Sequence, residues 1–352
     1  MIALLFIILG LGIILEAISL KRDPSKMEFD YVISTVCTEP GDTFSVHTII
    51  TNKSLVPVSY LAVREVYPMT ARLNENMPVH EGFDGLHVMK VCRIKGRQRK
   101  KLILETSIKE RGVHTFKGDS IEFGDFLGFR EVSKAVSNRQ ELVVYPEKLN
   151  DKSFTDALGS FCGDLTAKRF LIRDPILTVG YREYTGRESM KEIHWLQSAH
   201  RGMLMVREFD YNRQLSASVI LSVDGLSLLD TSGLDMRCSA ARTACETLAE
   251  AGVPVSFFTN ARLSRLEAKD VWRCEVSAGR TGALLEGLGR VTGYSCSPLD
   301  KLLDYAMRES DFNAAFIIIL PAIDNAGAET VVRLRSTSGR EILLVQQAEG
   351  AA

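Results

Sequence analysis

The sequence lacks most of the patterns that mark catalysis. It has no Gly-x-Ser-x-Gly elbow, no phosphate loop, no dinucleotide fingerprint and no His-Glu-x-x-His motif. Gly287-Leu288-Gly289 is short of the third glycine of a dinucleotide loop and carries no weight. The six histidines (His47, His80, His87, His114, His194, His200) show no spacing that would gather zinc. The seven cysteines are odd in number and none stands in a Cys-x-x-Cys pair, so neither a zinc ribbon nor a disulfide framework is indicated, and free cysteines fit a reducing compartment. A formal net charge of -1 leaves no global field for nucleic acid. No low-complexity tract or repeat of about 20–50 residues is visible.

What is present starts with a long apolar run. Ile2 to Leu20 carries one charge, Glu16. Nineteen residues at about 1.5 Å each reach roughly 28 Å, close to the hydrocarbon thickness of a bilayer. A cleaved signal peptide would want bases before the run, whereas Lys21, Arg22 and Lys26 follow it. The expectation is a single-pass anchor over 1–22 in the cell membrane, with the soluble region cytoplasmic. Glu16 sits near the interface or meets a partner helix.

Residues 27–147 read as short strands. Phe44, Val46, Thr48 and Ile50 alternate with other residues, and Leu102-Ile103-Leu104 and Leu142 to Tyr145 are further strands. Pro40-Gly41-Asp42, Thr51 to Ser54 and Lys117-Gly118-Asp119 read as turns. An antiparallel β-sandwich is expected. Residues 151–214 show no clear hydrophobic period and read as an ordered connecting segment. From 215 to 348 strands and helices alternate. Ser218 to Val223 is a buried strand ending at Asp224. Ala241, Ala244, Cys245 and Leu248 share a helix face closed by Gly252 and Pro254. Ser297-Pro298-Leu299-Asp300 opens a second helix with Ser297 as its capping hydroxyl, and Leu299, Leu302, Leu303 and Ala306 face inward. Ala314 to Leu320 is a buried strand, Val331 to Leu334 marks a helix and Glu341 to Gln346 a last strand. The fold class expected is thus α/β plus β: an anchor, a sandwich and a doubly wound parallel sheet.

The densest run is Tyr181 to Asp210, YREYTGRESMKEIHWLQSAHRGMLMVREFD. Charged and aromatic residues this closely spaced must pair with each other or with a partner. One reading is an ion-pair and aromatic network that clamps the segment onto the two domains. The other is a surface for a protein partner built from Arg182, Glu183, Tyr184, Arg187, Glu188, Lys191, His194, Trp195 and Arg207. Arg93, Lys95, Arg97, Arg99, Lys100 and Lys101 cluster around Gly96. They read as an exposed hairpin tip, or as a contact with anionic lipid, where each base contributes about 1 kcal/mol. Without interleaved aromatics they do not read as a nucleic-acid site.

The same run resembles the signature of the domain of unknown function 58 family of bacterial membrane proteins. Arg182-Glu183-Tyr184, Ile193-His194-Trp195, Ser198-Ala199 and Val206-Arg207 with Phe209 match it in order. Glu188 stands where an Asp is usual, His200 at a basic position, and Asp210 in place of a final Glu. Arg111 to Phe116 and Gly124 to Phe129 are similar to a second stretch of the family, with Phe126 where a proline is expected. The resemblance implies a C-terminal domain like von Willebrand factor A. Such domains often hold Mg²⁺ on Asp-x-Ser-x-Ser, whose oxygens suit a hard cation. Here the stretch is Asp224-Gly225-Leu226-Ser227-Leu228, so the site is degenerate and Asp224 is expected to be a turn or helix-capping acid. No cofactor is expected. The resemblance further implies a scaffold or adaptor working with a MoxR-type AAA+ ATPase in envelope assembly or stress. The alternative is a metal-dependent hydrolase using Asp224 or His194 and His200. The topology is testable: a periplasm-dependent phosphatase fused after Ala352 should be inactive, and strong activity would reverse the orientation.

Overall fold

The computed structural model describes Gly10 and residues 24–73, 78–124, 131–169, 178–186, 188–209, 216–225, 231–311, 314–321 and 341–346. The expected anchor over 1–22, Arg187, Leu226, Leu228, Asp210, the Phe126 stretch and the helix at Val331 therefore lie outside the described residues, Gly10 excepted. Among the described residues no helix is long and apolar enough to cross a membrane. The chain forms two compact units. One runs up to Glu147 and takes in Leu285–Arg290; the other holds the rest from Lys148 onward.

The first unit is a β-sandwich. Its strands are β1 (Met27–Ile33), β2 (Cys37–Thr38), β3 (Thr43–Asn52), β4 (Val58–Tyr67), β5 (Arg72–Leu73), β6 (Val79–Gly82), β7 (Gly85–Ile94), β8 (Arg99–Ser107), β9 (Gly112–Gly124), β10 (Glu131–Ala135) and β11 (Arg139–Val144). One sheet runs β1-β3-β8-β5. The other runs β2-β11-β9-β4-β7-β6, with β10 on β9. All pairings are antiparallel except the short β2–β11 contact. The alternation read from β3 holds, since Phe44, Val46, Thr48 and Ile50 are all buried. Lys117-Gly118-Asp119 is not the turn expected; it lies inside β9. Glycine is needed there for proximity, because a Cβ on Gly118 would meet Phe29 Cε1 at 2.9 Å.

The inward rows of β3, β4 and β7 pass from apolar to polar and back. Phe44, Val46, Tyr67, Val88 and Leu104 belong to one apolar cluster, and Ile50, Leu61, Val63 and Ile94 to a second. Between them along the strands lie Thr48, Glu65 and Lys90, all buried. Lys90 Nζ donates to Glu65 Oε2 at 2.7 Å, Thr48 Oγ1 at 3.0 Å and Tyr67 Oη at 3.2 Å, which uses all three ammonium donors. Glu65 also accepts from the hydroxyls of Thr48 and Tyr67. Burial, and then the Glu65 charge, push the phenols of Tyr31 and Tyr67 upward, so both stay protonated.

The Arg-Gly pair singled out in the sequence has a local task in this unit. Gly112 sits at φ +139, a conformation unfavourable for a side chain. Arg111 Nη1 donates to the Leu288 carbonyl at 2.9 Å. Gly289 comes so near β11 that a Cβ would meet Val143 Cγ1 at 2.5 Å, so the Gly287-Leu288-Gly289 step is packing.

The second unit is α/β. It contains α1 (Lys152–Arg169), β12 (Thr178–Glu183), α2 (Trp195–Arg201), β13 (Met205–Phe209), β14 (Ala217–Leu221), α3 (Thr231–Glu250), β15 (Val255–Thr259), β16 (Ala261–Leu263), β17 (Trp272–Val276), α4 (Gly282–Arg290, its second half in the first unit), β18 (Val291–Ser295), α5 (Leu299–Glu309), β19 (Ala315–Leu320) and β20 (Ile342–Gln346). A five-stranded sheet runs β17-β15-β14-β19-β20. Its strands are parallel except β17, which pairs antiparallel with β15. Leu302, Leu303 and Ala306 of α5 pack with Ile220, Phe258, Phe316 and Ile318. The alternate residues Val219, Leu221, Phe257 and Ile317 are also buried, so both faces are covered. Gly252 at φ +75 ends α3 as expected. Residues 151–214 group with this unit, and those of them that the structure describes are more regular than their sequence suggests. Asp151 caps α1 through the Ser153 amide at 2.9 Å, and Phe154, Leu158, Cys162 and Leu165 are buried at helical spacing.

The polar layer of the sandwich gives a stability prediction. Lys90→Met strands a buried carboxylate and should cost about 3–5 kcal/mol, whereas Glu65→Leu with Lys90→Met should recover most of that loss. Denaturant midpoints of both variants measure it. A neutral Lys90→Met would mean that the pair is not buried as described.

Candidate functional site

The signature run folds into a small substructure of its own. β12 and β13 pair antiparallel with Tyr181 opposite Arg207 and Arg182 opposite Val206. The chain between them returns through a 3-10 turn, Met190–Glu192, and the short helix α2. Ile193 bridges to Val206, and the His194 amide donates to the Met205 carbonyl at 2.8 Å. Ser198 is buried. Its hydroxyl receives the Met205 amide at 2.8 Å and donates to the His194 carbonyl at 3.0 Å, tying α2 to β13. With Ile193, Met205 and Val206 buried, the piece has a miniature core.

Its polar residues are spent mainly on local geometry. Glu188 accepts from the Thr185 hydroxyl at 2.8 Å, the Thr185 amide at 3.1 Å and Arg182 Nη1 at 2.6 Å, closing the loop at Gly186. The Thr185 hydroxyl first, then Arg182, pull the Glu188 carboxyl down to about 2. His194 caps α2: its Nδ1 accepts the Gln197 amide at 3.2 Å, which fixes the proton on Nε2, and its ring lies 4.7 Å from that of Tyr181. Gly202, at φ 67, ends α2 in the left-handed conformation.

An aromatic network clamping this segment would bury Trp195. It is 64% exposed, and Leu196 beside it 67%. The reason is helical phase: Ser198 occupies the one inward position of a seven-residue helix, so the neighbours at its start face water. Met190, Met203, Leu204 and Tyr181 are exposed on the same substructure. The sequence reading missed the first three, although apolar side chains spaced through so short a run exceed what a miniature core can bury. Glu183, Lys191 and Arg207 are also exposed, whereas Tyr184 is half-buried and its amide joins the Leu204 carbonyl at 2.8 Å.

The basic cluster lies where a hairpin was expected, but the tip is held. The Arg97 amide donates to the Ser54 carbonyl at 2.8 Å, and Asn52 Nδ2 donates to the Lys95 carbonyl at 3.1 Å. A Cβ on Gly96 would sit 2.0 Å from the Leu55 carbonyl oxygen. None of Arg93, Lys95, Arg97, Arg99, Lys100 or Lys101 has a carboxylate partner among the described residues.

Asp224 lies just past the carboxyl end of β14, where the connections diverge to β15 on one side and β19 on the other, the usual ligand crevice of such sheets. Asp224 Oδ2 accepts the Leu299 amide at 3.1 Å, which makes it the cap of α5. Ser297 is not the cap expected: its hydroxyl donates to the Asp270 carbonyl at 2.7 Å. Close by, Asn260 is fully buried, donates to the Ser297 carbonyl at 2.7 Å and accepts the Val223 amide at 3.1 Å. Among the described residues no three His, Cys, Asp or Glu side chains lie close enough to hold a metal. The donor set does not fit Mg²⁺, since leucine stands at 226 and 228 in place of the hydroxyl ligands and the Asp224 carboxylate, among the described residues, is engaged by α5. The hydrolase alternative finds Asp224 and His194 both occupied as helix caps, and His200 exposed.

No family model and no curated protein matches the chain. The resemblance to the domain of unknown function 58 family therefore rests on the residues quoted for it. Among solved structures, a cohesin module from a Clostridium perfringens family 33 glycoside hydrolase is 14% identical, covering 33% of this chain and 96% of that one at a TM-score of 0.27. A type II cohesin from the cellulosome of Acetivibrio cellulolyticus is 7% identical, with 33% and 95% covered and a TM-score of 0.26. A CARDB domain from Pyrococcus furiosus is 10% identical, with 34% and 86% covered and a TM-score of 0.23. At these scores the likenesses carry no argument.

The Glu188 loop is testable by titration. Its folded carboxyl is depressed from about 4.5 to about 2, so its contribution is complete above about pH 4.5 and lost as pH falls toward 2. The melting-temperature difference between the parent and Glu188→Gln should shrink through that window, and Thr185→Ala should move the titration upward. A difference constant down to pH 2 would refute the geometry.

Proposed function

We propose that this chain is a membrane-anchored scaffold of the domain of unknown function 58 type. In this reading residues 1–22 hold it in the cell membrane, the soluble region faces the cytoplasm, and the α/β unit is a von Willebrand factor A-like domain. Its task is to bind a protein partner, of which a MoxR-type AAA+ ATPase is the candidate the resemblance implies. The strand order with β14 central and an antiparallel edge supports the domain reading.

The observation that carries the binding role is the platform around Trp195. A short helix capped by His194 and Gly202, and pinned by a buried Ser198, presents Trp195 and Leu196 to solvent. Ordered aromatic and apolar side chains on a rigid mount lose little entropy on binding, and tryptophan and arginine are prominent among residues that dominate interface energies. Lys191 and Arg207, exposed on the same substructure, supply a polar rim.

The test is affinity recovery from native membranes beside a melting curve for each variant. Trp195→Ala with Leu196→Ala should leave the fold intact, since exposed substitutions usually change stability by less than about 0.5 kcal/mol. The same variant should lose most recovery of an AAA+ ATPase identified by mass spectrometry. Lys191→Glu and Arg187→Glu should weaken it further. Unchanged recovery by folded variants would remove this surface from the partner contact.

A further inference from the structure

Among the described residues the edge of the sandwich at β7 is paired over only part of its length. β6 covers β7 only from Gly85 to Val88 and stops at Pro78, which has no N–H to continue the ladder. Beyond that point Met89–Ile94 pairs with β4 on its inner side and has no strand on its outer side among the described residues. The edge carbonyl of Arg93 is met by Lys100 Nζ at 3.3 Å, which shows which way that backbone group points. β8 leaves the same hairpin into the other sheet, and β5 covers it only at Thr106 and Ser107. Between the two diverging strands lies a slot of about 460 Å³, lined by Pro78, Met89, Val91, Leu102 and Ile103, with Lys90 and Lys101. Val91 and Ile103 are each about half exposed beside it.

Charge selects the occupant. Arg93, Arg99 and Lys101 flank the slot, Lys95, Arg97 and Lys100 continue the positive field to the tip, and none has a carboxylate partner among the described residues. A second copy of this chain would bring the same bases to the same edge and be repelled. A lipid surface would meet the bases but use neither the free strand edge nor the apolar slot. We propose that an extended acidic peptide segment of a partner adds as a strand along Met89–Ile94. Its backbone would bond the unpaired part of the edge, its apolar side chains would point between the strands into the slot toward Leu102, and the intervening carboxylates, on the face that carries Met89, Val91 and Arg93, would meet Arg93 within the field of Arg99 and Lys101. This site uses sandwich residues alone and does not depend on the Trp195 platform.

The probe is a fluorescein-labelled heptapeptide of alternating Glu and Val, titrated into the full chain in detergent. Saturable binding is expected, together with slowed amide exchange at Met89–Ile94. Arg93→Glu with Lys101→Glu should weaken binding about tenfold or more, as charge reversal at an interface does. Methylating alternate backbone nitrogens of the peptide keeps its charge and removes its strand hydrogen bonds, and should weaken binding comparably; this arm needs no protein variant to fold. Equal binding by the methylated peptide would overturn the proposal in favour of simple charge attraction. Displacement by phosphatidylglycerol vesicles that protect only Lys95 to Gln98 would overturn it in favour of lipid.

Discussion

The constraint on the sandwich core is a buried ion pair whose two members must be kept or lost together. Glu65 on β4 and Lys90 on β7 are neighbours in one sheet, and both reach Thr48 on the other. Desolvating two charges costs several kcal/mol each, and only a full set of partners offsets that. Here the set is complete: three acceptors around the ammonium, three donors around the carboxylate. The layer also fixes register. A one-residue slip of β4 or β7 would turn its inward row outward and break the set, which adds to the loss of apolar burial that any such slip carries. The two apolar clusters on either side of the layer are thus held at fixed heights along the strands.

The signature run follows the same physics at smaller scale and ends differently. Its charged and hydroxyl groups are engaged locally: Glu188 by Thr185 and Arg182, His194 by Gln197, Ser198 by Met205. Those bonds build a rigid piece too small to bury its own apolar residues. Trp195, Leu196 and Met190 are left in water as a consequence of how few inward positions a seven-residue helix and a two-stranded ribbon provide. An ion-pair network and a binding surface are therefore compatible outcomes of the same sequence, the first forming the mount and the second what it presents.

How much was legible follows from the range of the signal. The alternation in β3, the apolar strand β19, the inward face of α5 and the closure of α3 at Gly252 are local, and all appear where the sequence puts them. Helix α1 was obscured because Gly159, Gly163 and two serines dilute a period that Phe154, Leu158, Cys162 and Leu165 do keep. Gly118 looked like a turn because a glycine between Lys and Asp usually is one; its reason is Phe29, some ninety residues earlier. The cap of α5 comes from Asp224 rather than the adjacent Ser297, and the partner of Lys90 is twenty-five positions away. Such pairings are set by topology, and composition or spacing cannot reveal them.

Within the sandwich, two groups of basic residues meet opposite fates. Lys90 is inside and fully paired, so it has nothing to offer a ligand. The six bases of the hairpin lie a few residues on, held in place by Ser54, Asn52 and the close approach of Gly96 to Leu55. Their mutual repulsion costs free energy in the isolated molecule and falls with screening. A fold that stabilises one lysine with three partners, yet pins its neighbours together with no carboxylate partner among the described residues, concentrates positive charge beside a sheet edge that no described strand continues. Charge alone there would serve to prevent edge-to-edge association. The apolar slot between β7 and β8 adds what protection does not require, a place for side chains that arrive with a strand.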